Sequence, residues 1–196
     1  MEATKKPSTI FARSKTNKNA QYSAIEQQTG TALQEIVAQL EGDNKRFGSF
    51  LEIAKVVEIP NGKEKPIALV YLSHKSHKVL LTPLYKKLVT ELEKKLKTTV
   101  LLIAGRNILS RWVKKNRTQK RPFSRTLSSV QENLLTELLL PGVIISDRVR
   151  VRLDGSQVRK LTVDKTEQHF LEERTAAIKT AFKKLTTRDV EIEFEK

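Results

Sequence analysis

Eight cationic side chains and no carboxylate lie in residues 106–125, RNILSRWVKKNRTQKRPFSR. Because like charges repel, such a segment attracts counterions, and a nucleic-acid backbone can replace those ions. Five of the eight are arginines, whose planar guanidinium groups bind phosphate oxygens in pairs and stack on bases. The pattern favours contact with RNA or DNA over a solvated loop without a ligand. The predicted contacts are Arg106, Arg111, Lys114, Lys115, Arg117, Lys120, Arg121 and Arg125.

Two aromatic residues lie within this basic segment. Trp112 could stack on an unpaired base, and we count it among the candidate RNA-binding residues. Burial of its indole against the domain would anchor the segment equally well, and the sequence leaves both interpretations open. Phe123, beside Pro122, is predicted to pack on the protein rather than to contact a base.

A second cationic surface is predicted in DRVRVRLDGSQVRKLTV, where arginines alternate with apolar residues. In a strand, alternate side chains lie on one face, about 6–7 Å apart, which is comparable to the phosphate spacing along an RNA strand. Asp154-Gly155 predicts a hairpin turn, after which residues 158–163 return. The residues predicted to bind RNA here are Arg148, Arg150 and Arg152, with Arg159 and Lys160 extending the surface.

No arrangement of residues typical of an enzyme is evident. Nucleotide-binding glycine motifs, the GxSxG nucleophile motif and HExxH are all missing from the sequence. His74 and His77 could supply two metal ligands, but no third histidine lies nearby. We therefore predict a protein that is not an enzyme and binds no metal or cofactor. An enzyme acting on RNA stays an alternative that a turnover assay would test.

The amino-acid composition indicates which partners the protein has and excludes several kinds of site. With 37 Lys and Arg against 22 Asp and Glu, the net charge is +15 and the pI is about 10.0, which indicates polyanionic partners. A hydrophobic content of 38% suffices for a packed core. Because there is no cysteine, disulfides and thiolate zinc sites are excluded. No apolar run is long enough to cross a membrane.

We predict a basic, disordered tail over residues 1–22 and one globular domain over residues 23–196, with the RNA-binding loop at 105–127. The tail has no apolar stretch typical of a secretory signal. A mitochondrial transit peptide, which would be rich in Arg and amphipathic, is disfavoured. The cations of residues 1–22 are mostly lysine, and the segment shows no amphipathic period.

The pattern of apolar residues predicts an α/β (α+β) fold with mixed sheets and the order αββαβ written twice. The first set comprises a helix at 23–41, strands at 51–59 and 67–72, a helix at 76–97 that could begin at Pro83, and a strand at 98–104. The second set comprises a helix at 128–140, the arginine hairpin, a helix opened by an Asp164/Glu167 capping box, and a strand in the ending DVEIEFEK. Duplication of an ancestral half and ordinary βαβ connectivity without duplication would both give this order of elements.

Two motifs together resemble a known family. KRPFSRTL at 120–127 and VRVRLDGS at 149–156 are similar to segments of the eukaryote-specific small-subunit ribosomal protein seven family, and the likeness covers residues 24–195. It implies a constituent of the 40S subunit bound to 18S rRNA and to neighbouring ribosomal proteins, with a part in subunit assembly. Phe123, where the family often has Arg, and Ser110-Arg111-Trp112 depart from the family pattern.

The expected function is therefore structural: rRNA binding through the basic loop and the arginine-rich strand, with no membrane or small-molecule partner. The resemblance implies a cytoplasmic ribosome and a nucleolar assembly stage. A DNA-binding or chromatin-associated protein is the alternative, because the same cations suit DNA. The acidic C-terminal strand and the glutamates at 132–137 are expected to face protein partners or solvent.

Overall fold

The computed structural model describes residues 10–12, 22–40, 51–62, 65–73, 76, 80–116, 118, 120 and 122–195. Within them the chain forms two three-stranded mixed sheets with helices, so the predicted α+β class is confirmed. His74 and His77 lie outside the described residues. Every described helix is too short or too polar to span a bilayer.

The first half of the molecule follows the predicted order. Helix α1 (Ala24–Gln39) precedes strands β1 (Ile53–Ile59) and β2 (Ile67–Leu72), which pair antiparallel. Helix α2 (Leu84–Leu96) begins directly after Pro83, as the fixed φ of proline favours, and leads to β3 (Thr99–Ala104). Because β3 pairs parallel with β2, the first sheet has the order β1-β2-β3.

The second half repeats this topology after a short helix α3 (Arg111–Lys115). Helix α4 (Leu127–Leu138) precedes the antiparallel strands β4 (Ile144–Val151) and β5 (Gln157–Val163). Helices α5 (Gln168–Glu172) and α6 (Thr175–Thr186) then lead to β6 (Asp189–Phe194), which pairs parallel with β5. The second sheet therefore has the order β4-β5-β6.

The two halves also agree in how their last helix ends. Lys97 after α2 and Thr187 after α6 are left-handed, with φ of 56° and 59°. Each donates its backbone N–H to the carbonyl four residues earlier, at 2.9 and 2.8 Å. A KKL triplet precedes each cap, directly before Lys97 and with Thr186 between it and Thr187, so the two sequences differ in register by one residue.

The first sheet is buried on both of its faces. One apolar cluster joins it to α1 and α2, and includes Val70 and Leu102. A second cluster joins its opposite face to α4, α6 and the second sheet, and includes Leu69 and Ile103. The second sheet contributes to an apolar cluster from one face only, through Leu161 and its neighbours on that face. The two halves thus share one core layer, with the first sheet in the centre of the molecule.

Three glutamates bond to the edge strands of the first sheet. Glu26 accepts the Val56 N–H of β1 at 3.3 Å, Glu93 accepts the Val100 N–H of β3 at 3.1 Å, and Glu137 accepts the Ala104 N–H at 2.8 Å. Each satisfies an edge donor that a further strand would otherwise pair. The helices that carry these carboxylates are thereby fixed to the sheet.

The predicted disordered tail is corrected at Ile10–Ala12. Phe11 is only 1% exposed, and its ring stacks on Tyr22 at 4.3 Å between centroids. Ile53 donates its N–H to the Ile10 carbonyl at 2.8 Å. A Cβ on Gly30 would lie 2.8 Å from the Phe11 ring, so glycine makes room for this aromatic residue. Residues 1–9 and 13–21 of the predicted tail lie outside the described residues.

The predicted capping box at Asp164 is wrong. Asp164 accepts the Thr166 N–H at 3.3 Å and opens a 3-10 turn (Lys165–Glu167), while the Glu167 carboxylate pairs with Lys86 at 2.5 Å. The single predicted helix is divided into α5 and α6. Arg174 lies at the division, and its guanidinium reaches Glu93 of α2 at 2.5 Å. A contact with a distant element therefore accompanies the break.

Candidate nucleic-acid interface

The basic segment, residues 106–125, begins and ends at one place on the protein. It leaves β3 after Ala104 and returns at α4, which packs against β3. Leu109 donates its N–H to the Arg125 carbonyl at 2.8 Å, so the two ends of the segment are joined by a backbone hydrogen bond. The cations between them project from a fixed base.

Trp112 lies on α3 inside this segment. The Ser110 hydroxyl caps the helix by accepting the Trp112 N–H at 3.4 Å. The indole is 73% exposed, and the Lys115 ammonium lies 5.4 Å from its ring centroid. The interpretation that the indole is buried against the domain is therefore wrong, while stacking on a base stays a prediction.

The other described parts of the segment are also open to solvent. Phe123 is 94% exposed, so the prediction that it packs on the protein is wrong. Lys115, Lys120 and Arg125 are exposed, and no ion pair joins them to a carboxylate of the described residues. Arg117 and Arg121 lie outside the described residues, as do the side chains of Arg111 and Lys114.

Arg106 differs from the other cations of the segment. Its guanidinium binds Glu137 through Nη2 at 2.8 Å and Nε at 3.1 Å. Glu137 is 3% exposed, although the sequence predicted a solvent- or partner-facing position. Because a buried carboxylate needs a cation and donors, this pair stabilises the start of the basic segment. The position gives Arg106 a structural role whether or not it also contacts a phosphate.

The three alternating arginines of the β4–β5 hairpin, Arg148, Arg150 and Arg152, are solvent-exposed. Arg148 lies opposite Lys160 and Arg150 opposite Val158, so both occupy the face of β4 that turns away from the core cluster. Arg152 lies just beyond the strand and donates its N–H to the Ser156 carbonyl at 2.9 Å. The turn is closed by Gly155 at φ 80° and by Asp154, whose pKa is lowered by hydrogen bonds from Ser156.

The apolar face of this hairpin is exposed as well. Val149 and Val151 are mostly open to solvent, and Leu153 at the turn is completely so. The hairpin therefore extends past the apolar clusters. Strict alternation of apolar and charged residues separates two faces, but it does not show whether either face meets a core.

Arg159 and Lys160, on the returning strand, each have carboxylate partners. Arg159 binds Asp147 of β4, its Nε lying 2.7 Å from Oδ1, and its Nη2 also lies 3.9 Å from Glu132 of α4. Donation of hydrogen bonds to the Asp147 carboxylate raises the pKa of Arg159. Lys160 pairs with Glu193 at 2.6 Å and lies 3.9 Å from Glu191. Cations without such partners are thus found at the distal end of the hairpin.

A cavity of about 170 Å³ opens beside the base of the basic segment. The cavity is lined by Ile108 near the start of the segment, by Leu127 just after its end, by Tyr71 of β2 and by the Arg106–Glu137 pair. Partial burial raises the pKa of the Tyr71 phenol, so this group stays neutral at physiological pH. The sequence did not predict this cavity.

Gln131 is the buried polar residue of the cavity wall that no prediction included. It is 7% exposed, and no hydrogen bond reaches its side-chain amide from the residues that the structure describes. A signal for it was present in the sequence: Gln131, Leu135 and Leu138 stand at i, i+4 and i+7, so a polar residue interrupts an apolar helical stripe.

In the described part of the chain, no group of three or more His, Asp or Glu side chains is arranged to hold a metal ion. The dominant chemical feature is instead a set of exposed cations on a fixed base and on a projecting hairpin. Together with the two mixed sheets, these features define a basic α+β protein with an exposed cationic surface.

Comparison with known proteins gives the family. The ribosomal protein S7e model matches residues 13–194, and the chain belongs to that family. It is 38% identical over 174 residues to small ribosomal subunit protein eS7 of Drosophila melanogaster, covering 87% of this chain and 88% of that protein. Similar proteins are eS7z of Arabidopsis thaliana (36%; 87% and 94% covered) and eS7 of Caenorhabditis elegans (32%; 88% and 89% covered).

Proposed function

We propose that the protein is a structural constituent of the small ribosomal subunit that binds 18S rRNA through its basic segment and its arginine hairpin. The observation that carries this proposal is a division among the cations. Arg106, Arg159 and Lys160 bind the protein's own carboxylates, whereas Lys115, Lys120 and Arg125 are exposed without such a partner among the described residues.

The physical reason is counterion release. Each exposed cation that neutralises a phosphate frees a condensed ion, which makes affinity fall with salt by a slope of about 0.7–0.9 per contact. The hydrogen bond between Leu109 and Arg125 fixes where the segment leaves the fold, so part of the entropy of ordering it is lost before RNA arrives. Arg148, Arg150 and Arg152 extend the contact along a second strand of phosphates.

Neighbouring ribosomal proteins are the second class of partner. The apolar face of the hairpin, at Val149 and Val151, differs in chemistry from the cationic face. Acidic β6 differs as well: its Glu191 lies on the same sheet face as Arg148, with Lys160 of β5 between them. In this proposal the protein helps assemble the small subunit, beginning in the nucleolus, and then acts in translation on cytoplasmic ribosomes. It catalyses no reaction, and a turnover assay on RNA with and without divalent metal tests that point.

The test compares two triple variants of equal charge. One replaces Lys115, Lys120 and Arg125 by Gln, and the control replaces the exposed Lys87, Lys94 and Lys97 of α2 and its cap by Gln. Binding to transcribed 18S rRNA is measured over a series of salt concentrations. We expect the first variant to lower the salt slope by about 2.1–2.7, at 0.7–0.9 for each of three contacts, and the control to leave it unchanged.

Equal slopes for the two variants would contradict the proposal, because they would mean that net charge alone determines binding. Competition with duplex DNA of equal length tests the alternative of a DNA-binding protein. We expect the concentration of 18S rRNA that displaces bound DNA to be lower than the concentration of DNA that displaces bound rRNA. The reverse order would favour the chromatin-associated alternative.

A further inference from the structure

The cavity beside the basic segment has the features of a ligand site. Its volume of about 170 Å³ is close to the 150 Å³ of an engineered cavity that accepts benzene, so one planar ring fits. Most of its wall is apolar, formed among others by Ile103, Val130 and Leu134. It therefore offers a planar ligand both space and apolar contact.

The side-chain amide of Gln131 is the group that gives this cavity chemical specificity. Gln131 is 7% exposed and lines the cavity, while the described residues supply its amide with no partner. By contrast, the Glu137 carboxylate in the same wall already accepts from Ala104 and Arg106. The amide is therefore open to the cavity and can bind a ligand that both donates and accepts.

The position of the cavity indicates where that ligand comes from. Ile108 and Leu127 in its wall are 54% and 46% exposed; Ile108 lies near the start of the basic segment and Leu127 two residues after its end. Because Leu109 is bonded to the exposed Arg125, a polynucleotide held by that cation would lie close to the cavity. Its unpaired bases are planar, largely apolar on their faces and polar at their edges.

We propose that this cavity binds an unpaired adenine base of the RNA, and that Gln131 reads its edge. An amide side chain can accept from the N6 amino group and donate to N7 of adenine at once; on this edge, the one that faces the major groove in a duplex, no other base presents a donor beside an acceptor. The ring enters between the apolar side chains, and the flanking phosphates lie against the basic segment. This inference rests on the proposed RNA binding and adds to it a base preference at one position.

The test uses the full chain and two labelled oligonucleotides, nine uridines and the same strand with a central adenosine. Both carry the same number of phosphates, so the cations bind them alike. We expect the adenosine strand to bind about tenfold more tightly by fluorescence anisotropy. Gln131→Leu should remove this preference while leaving the affinity for oligouridine unchanged. Gln28→Leu, on the exposed face of α1, is the matched control and should keep the preference.

Replacement of the central adenosine by 7-deazaadenosine removes the N7 acceptor and nothing else. For the unaltered protein, most of the preference should disappear, and for Gln131→Leu the two strands should bind equally. Thermal unfolding of each variant confirms that the fold is retained. This second measurement needs no change to the protein, so it tests the proposal even where a variant unfolds.

Three outcomes would overturn the inference, and they differ from one another. If both strands bind with equal affinity and a normal salt slope, RNA binding stands and the cavity is not a base site; its apolar mouth then suits a side chain of a protein neighbour. If Gln131→Leu keeps the preference, adenine is read elsewhere. If neither strand binds even at low salt, the proposed function fails together with the inference.

Discussion

The two hairpins of the molecule have the same topology and opposite surroundings. The β1–β2 hairpin, with Asn61-Gly62 at its turn, lies in a sheet that helices cover on both faces. The β4–β5 hairpin, with Asp154-Gly155 at its turn, extends past the core and exposes both faces near its end. A repeated order of elements thus gives a covered hairpin in one half and, in the other, an exposed hairpin that we propose as a binding surface.

The difference follows from what packs against each hairpin. Helices α1 and α2 cover one face of the first sheet, and α4 and α6 cover its other face. The distal part of β4, from Arg148 onward, has no such cover among the described residues. Arginine alternating with valine tolerates this exposure, because the guanidinium groups keep the strand solvated and discourage pairing with other sheets.

The largest effect should come from an equal truncation in the two regions. Leu69→Ala, in β2 between the two apolar clusters, should lower the free energy of unfolding by about 3–4 kcal/mol because it leaves a cavity in the central layer. Leu153→Ala, at the exposed turn, should change it by less than about 0.5 kcal/mol. Urea denaturation of both variants measures the difference. Similar losses would mean that the hairpin is packed against the fold.

A smaller effect should separate two arginines of the basic segment. Arg106→Gln leaves the buried Glu137 without its cation and should lower the free energy of unfolding by about 2–3 kcal/mol. Arg125→Gln removes an exposed cation, and we expect an unchanged stability with weaker binding to 18S rRNA. Measuring the free energy of unfolding and the affinity for 18S rRNA in both variants tests whether Arg106 acts mainly in stability and Arg125 mainly in binding. Loss of stability in Arg125→Gln alone would reverse the assignment.

The smallest effect concerns the one tryptophan. Since Trp112 is the single tryptophan of the chain and is 73% exposed, its fluorescence reports on the basic segment alone. Added RNA should quench it by stacking, and Trp112→Ala should weaken RNA binding by about 1 kcal/mol, close to fivefold. Stability should stay within about 0.5 kcal/mol. Unquenched emission at saturating RNA would show that the indole stays in solvent.

Local patterns predicted the elements well where each residue's neighbours in sequence decide its structure. Leu88 and Leu92 on one helical stripe, Pro83 at a helix start and Gly155 in a tight turn all act within a few residues. The patterns therefore gave both sets of αββαβ elements and the position of the arginine hairpin.

Residues whose role depends on distant contacts were missed. Phe11 lies in a polar stretch of sequence, and only its packing against Gly30 and Tyr22 makes it part of the core. The division of the last helix at Arg174 accompanies its contact with Glu93, far away in sequence. The sequence identified the cations of the candidate site but could not tell that Arg106 binds a buried carboxylate, since Glu137 belongs to another element.

The most direct test of the cationic interface locates RNA around the bound protein. The natural chain has no cysteine, so a single one can carry an iron chelate that cleaves nearby RNA. We would place it at Thr118 in the basic segment, at Gln157 beside the hairpin turn, and at the exposed Thr90 of α2 as control. In complexes with 18S rRNA, the first two sites should give strong, localised cleavage and Thr90→Cys little. Strong cleavage from Thr90→Cys with none from Thr118→Cys would place the RNA on the scaffold half and contradict the account.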